Sequence, residues 1–219
     1  MDDQRRLDRF ERATDPARVL ALSDGVFAII ITLLVLEIHV PELGHGQSLS
    51  DAIREVRPSF VAFLISFVVV AIAWAGHRDL FTRIRRTDRG LVWLNMVYML
   101  PLSIIPFGAS LLARYNQDPI ALRMYGFLLV AITATRLLIW LYATRRPHLL
   151  FDPVDAWTQR AGTAIVVIPG LVYAVAILLA DTAPSVSLAI YALALVVYFI
   201  ASIFVRRLAP SESAKEEFT

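Results

Sequence analysis

Five polar side chains interrupt stretches that are otherwise compatible with hydrocarbon. Ser23 and Asp24 sit inside an apolar run from Val19 to Val40, and Trp74, His77 and Asn95 lie near the ends of the next two runs. A carboxylate in such a setting is costly and faces protein or a watery path rather than lipid. Asp24 accepts hydrogen bonds, and an indole, an imidazole and an amide can all donate them. Two kinds of chemistry fit the set. One is a proton-relay or ion site centred on Asp24. The other is a clasp in which the side chains satisfy one another and pin three helices together. Residue types and spacing leave both open.

No other constellation competes. His39, His45, His77 and His148 are scattered, with no metal-ligand pair at helical spacing. The chain has no cysteine, which excludes disulfides, thiolate metal sites and a cysteine nucleophile. Asp152 and Asp155 fall in a loop and read as solvated. The sequence therefore offers no set of nucleophile, base and metal ligands, and no cofactor is expected.

The elements that position the five follow from composition. Of 219 residues, 58% are hydrophobic, gathered in long uncharged runs. A spanning helix needs about 20 mostly apolar residues. Six segments qualify: 18–39, 58–77, 90–113, 120–142, 161–180 and 185–205. Barrel strands are too short to account for such runs. The expected class is an all-α membrane protein with six transmembrane helices, flanked by segment 1–17 and tail 208–219 around a domain of residues 18–207. Residues 51–57 read as a short amphipathic helix, and Pro101 and Pro106 are expected to kink the third span. Residues 1–18 are polar and charged, unlike a cleavable leader.

Charge sets the expected orientation. Arg5, Arg6, Arg9, Arg12 and Arg18 precede the first span, and Arg78, Arg83, Arg85, Arg86 and Arg89 follow the second. Arg145, Arg146 and Arg160 follow the fourth, and Arg206, Arg207 and Lys215 follow the sixth. The alternate loops are poor in arginine. By the positive-inside rule both termini are cytoplasmic. Arg123 and Arg136, near the ends of the fourth span, are expected to snorkel to the interfaces. These charges flank membrane spans, so the expected partner is the lipid bilayer and no nucleic acid is expected. In this orientation Ser23, Asp24, Trp74, His77 and Asn95 share one depth, roughly 8–9 Å inside the cytoplasmic boundary.

On a wheel of about 100° per residue, Leu22, Val26, Ile29, Leu33, Leu36 and Val40 form one stripe of the first helix, with Asp24 on the opposite side. On spacing alone, lipid contact or core is the favoured reading of such a stripe. Thr32 flanks the stripe and Glu37 borders its outer end.

Arg18-x-x-x-Leu22-Ser23-Asp24-Gly25-Val26-Phe27-Ala28-Ile29-x-x-Thr32-Leu33-Leu34-Val35-Leu36-Glu37 resembles the first-helix signature of the transmembrane protein 175 family, which are lysosomal and prokaryotic potassium channels. Trp74-x-x-His77-x-x-x-Phe81, Leu94-Asn95 and Pro106-Phe107 are similar to later parts of the same pattern. One departure is Leu22, where the family has Phe. The resemblance implies a prokaryotic-type, six-helix subunit of a homotetramer in the cell membrane, the bacterial inner membrane, with first helices lining a central pore. It implies a potassium-selective channel with an aliphatic constriction at Ile29, then Leu33 and Leu36, with Thr32 contributing to selectivity. The only ion implied is permeant potassium. Glu37 then lies at the outer mouth. Arg18, Ser23, Asp24, Trp74, His77 and Asn95 map to an interhelical hydrogen-bond network, with His77 a candidate pH sensor of gating. The alternative expectation is a proton-coupled secondary transporter or proton-conducting channel using Asp24.

Overall fold

The computed structural model describes residues 15–208 and is helical throughout, apart from turns and one isolated β-bridge. The helices are α1 (Pro16–Leu36), α2 (Leu49–Glu55), α3 (Arg57–Phe81), α4 (Arg89–Ser103), α5 (Ile105–Arg114), α6 (Pro119–Thr144), α7 (Ala156–Leu179) and α8 (Pro184–Leu208), with a 3-10 turn at Pro147–Leu149. Taking α4 and α5 together, five stretches are long and apolar enough to cross a membrane, and α8 adds a further 25 residues. The terminal arginines through Arg12, and Lys215, lie outside the described residues.

Local chemistry explains the helix starts. Asp15, Asp88, Asp118 and Asp155 each accept a hydrogen bond from a backbone N–H of the first turn of α1, α4, α6 and α7, and Ser48 does so for α2. Proline in the first turn of α1, α3, α5 and α6 costs nothing, because those N–H groups have no partner in the helix.

Several boundaries differ from expectation: α3 runs on to Phe81 rather than 77, and α7 begins at Ala156 rather than 161. The first helix ends at Leu36, short of residue 39, where the Glu37 N–H turns back to Leu34 O and Val35 O. Pro41 lies just beyond and disfavours helix in the residue before it. Val40 therefore leaves the helical stripe. The third span is interrupted at the single residue Ile104, between the two prolines expected to disturb it: Pro101 has no N–H to donate within α4, and Pro106 lies in the first turn of α5.

The core runs along the interior of the bundle. α1 packs on α3, α4 and α5; α6 packs on α4, α5 and α7; α8 lies on α7 and touches α3 and α6. Arg123 pairs with Asp181 at one end of α6, beside the loop before α8. Arg136 does not snorkel outward. It is half-buried, with its guanidinium laid against Gly76 of α3, where any Cβ would overlap it. It also lines a small interhelical cavity with Tyr98, Thr133 and Tyr173.

Candidate functional site

α1 has two faces of opposite character. Val19, Ser23, Phe27, Ile30 and Leu34 are buried against the bundle. Leu22, Ile29, Leu33 and Leu36 are 53%, 60%, 42% and 67% exposed, so this aliphatic face is uncovered among the described residues. Leu22 thus lies on the open face, away from the clasp. A Leu there in place of Phe leaves the buried packing untouched.

Thr32 is also exposed, and its hydroxyl lies 2.8 Å from Ile29 O and 3.1 Å from Ala28 O, the acceptors of its proton. The oxygen keeps its lone pairs for other contacts. Glu37 caps the helix end, half-buried, and its carbonyl lies 3.1 Å from His39 Nδ1.

The polar residues that share one depth do come together, in two separate bonds to α1. Trp74 on α3 donates its indole N–H to Asp24 Oδ1 at 2.9 Å. Asn95 on α4 donates to Ser23 Oγ at 3.0 Å, while Ser23 donates to Val19 O at 2.9 Å. Asn95 Oδ1 lies 2.8 Å from His77 Nε2. An amide oxygen only accepts, so the imidazole carries its proton on Nε2. His77 therefore meets Asn95 rather than Asp24. Ser23, His77 and Asn95 are almost wholly buried, whereas Asp24 stays exposed, at the edge of the buried face that lies away from the aliphatic stripe. Arg18 is exposed and makes no hydrogen bond to another described residue.

An aromatic cage completes the clasp. Phe81 stacks on His77 with centroids 4.3 Å apart, Tyr98 lies parallel to it at 5.8 Å, and Phe27 of α1 tilts over it at 5.7 Å. His77 Nδ1 has no hydrogen-bond partner among the described residues. Tyr98, whose hydroxyl donates to Ala73 O at 3.1 Å, is a member that sequence reasoning missed. Its signal was available, three residues after Asn95 and hence on the same helix face. Gly76 and Arg136 were also missed, because their contact joins α3 to α6, far apart in sequence.

No group of three or more His, Asp or Glu able to hold a metal ion occurs among the described residues. What the arrangement offers is a helix tied to two neighbours by hydrogen bonds on one side and smooth and apolar on the other.

Comparison with known proteins gives a consistent answer. The family described as "Endosomal/lysosomal potassium channel TMEM175" matches residues 18–106. A potassium channel of Streptomyces collinus is 34% identical over 189 residues, 84% of this chain and 91% of that one. A potassium channel of Chamaesiphon minutus is 36% identical over 149 residues, 65% of this chain and 72% of that one. The crystal structure of a lysosomal potassium-selective channel TMEM175 homolog from Chamaesiphon minutus superposes with a TM-score of 0.77 at 29% identity, covering 85% of this chain and 97% of that one.

Proposed function

The chain belongs to the TMEM175 family, and from that membership we propose that it is a multi-pass membrane potassium channel whose conduction path is lined by α1 from four copies of the chain. The observation that carries the reading is the two-faced α1: one face sealed by the bundle, the other aliphatic and uncovered. Four such faces turned to a common axis form a narrow apolar neck, with Ile29 at the constriction and Leu33 and Leu36 following. A neck of this kind conducts or closes according to whether water wets it.

Selectivity then comes from dehydration. Ions shed part of their water to pass, and potassium holds water less tightly than sodium. The Thr32 oxygen, with its proton committed to its own helix, offers lone pairs to a partly stripped cation. Glu37, at the carbonyl end of α1, adds negative charge at the mouth, where the helix dipole also favours cations. Asp24 serves α1 differently, as the acceptor for Trp74. The arginine-rich end of the bundle faces the cytoplasm under this reading, in a bacterial inner membrane.

The test is planar-bilayer recording of purified protein under a potassium/sodium gradient. A reversal potential displaced toward that of potassium is expected. Absence of current, or a reversal potential that follows another ion, overturns the proposal.

A further inference from the structure

Two loops at the arginine-rich end are joined edge to edge. Ile84 and Leu150 form an antiparallel bridge, Phe151 N–H donates to Arg83 O at 3.0 Å, and Arg85 N–H donates to Leu149 O at 2.8 Å. Side chains alternate along extended backbone. Ile84 and Leu150 point inward, at 1% and 4% exposed, while Arg83, Arg85 and Phe151 are exposed. Arg86, Arg145 and His148 are exposed beside them.

Among the described residues no carboxylate is paired with the exposed arginines of this face. Between Thr82 and Gly90 the only acid is Asp88, and in the second loop Asp152 follows Phe151, with no hydrogen bond or ion pair to these arginines among the described residues. Asp88 is already engaged: Leu91 N–H donates to one oxygen at 2.7 Å and the Tyr142 hydroxyl to the other at 2.9 Å. Arg146 is taken up by the Tyr142 ring, 3.6 Å from its centroid. Arg83, Arg85, Arg86 and Arg145 have no carboxylate partner among the described residues.

A charge bias across the membrane needs arginines on this side, but it does not need those of two distant loops fixed in one face. We propose that this face binds the phosphate headgroups of anionic lipids in the adjoining leaflet. Guanidinium groups match phosphate oxygens bidentately. Phe151, and Trp157 in the first turn of α7, are 62% and 77% exposed and supply apolar anchors at headgroup level. These anchors, at the ends of membrane-length helices, favour a lipid over a soluble polyanion. The inference rests on the helices crossing the bilayer and not on conduction.

The test is native mass spectrometry of the purified full chain with phosphatidylglycerol or phosphatidylcholine, before and after the combined change Arg83→Gln, Arg85→Gln and Arg86→Gln. The changes alter side chains only, leaving Ile84, Leu150 and the backbone groups of Arg83 and Arg85 that join the loops, and an unchanged thermal midpoint verifies the fold. If the triple variant does not fold, Arg86→Gln with Arg145→Gln takes its place. The wild type is expected to retain phosphatidylglycerol in preference to phosphatidylcholine. The apparent affinity falls roughly fivefold per arginine removed, about a hundredfold in the triple variant. Equal retention of the two lipids, undiminished phosphatidylglycerol binding in a folded variant, or displacement by soluble polyphosphate at equal concentration overturns the proposal. Potassium flux into vesicles, recorded separately, reports on the channel reading, so the two can fail independently.

Discussion

In the proposed pore, Ile29 is the side chain that decides between an apolar neck and a wet one. It is among the most exposed residues of α1, while Ile30 beside it is 3% exposed in the core. Replacing Ile29 by Asn puts a ring of amides where water would otherwise be excluded. Larger current and weaker discrimination are expected, read as a reversal potential that moves toward zero under a potassium/sodium gradient. Unchanged current and reversal potential would remove Ile29 from the conduction path. The identities of the polar residues were legible in the sequence, because type and depth single them out. Their pairing was not. Depth put His77 with Asp24, but the rotation of α3 turns the imidazole to α4 and leaves Trp74 to meet Asp24. Helix rotation is set by packing among all the neighbours, which one helix wheel does not contain.

Among the elements, the tie between α1, α3 and α4 centres on Asn95. Its amide donates to Ser23 of α1 and its oxygen accepts from His77 of α3. Replacing it by Leu preserves approximate volume but leaves the His77 N–H buried without an acceptor. A loss of about 1–3 kcal/mol is expected from an orphaned buried donor, seen as a lower thermal midpoint in detergent. A midpoint equal to the wild type would mean that the tie contributes nothing. Membrane-length helices were legible from their apolar runs, but not to their ends: α7 starts at Ala156, five residues before the apolar run, because Asp155 caps its polar first turn. The early end of α1 and the break in the third span depended on how the backbone satisfies itself around Pro41, Pro101 and Pro106. Composition signals such prolines but not the geometry they produce. The seat of Arg136 on Gly76 was likewise hidden, since it joins residues of α6 and α3 that no local pattern relates.

For the whole molecule, the proposed function places the uncovered face of α1 against its counterparts in an assembly. A native mass in detergent corresponding to four chains of 24.5 kDa is expected, and a purely monomeric species at concentrations that conduct would contradict a shared central path. The bundle itself was legible from runs of apolar residues. The role of its free face was not, since lipid and a neighbouring copy are both apolar to a helix. Among the described residues, α1 makes its side-chain hydrogen bonds to other helices only at Ser23 and Asp24. From there outward it is held by dispersion and hydrophobic contact alone. It is in effect a cantilever, clamped near its root, whose compliance grows toward the tip. The bore at that tip is then not a property of one folded chain. Under the proposed assembly it is set by how four such ends lean on each other.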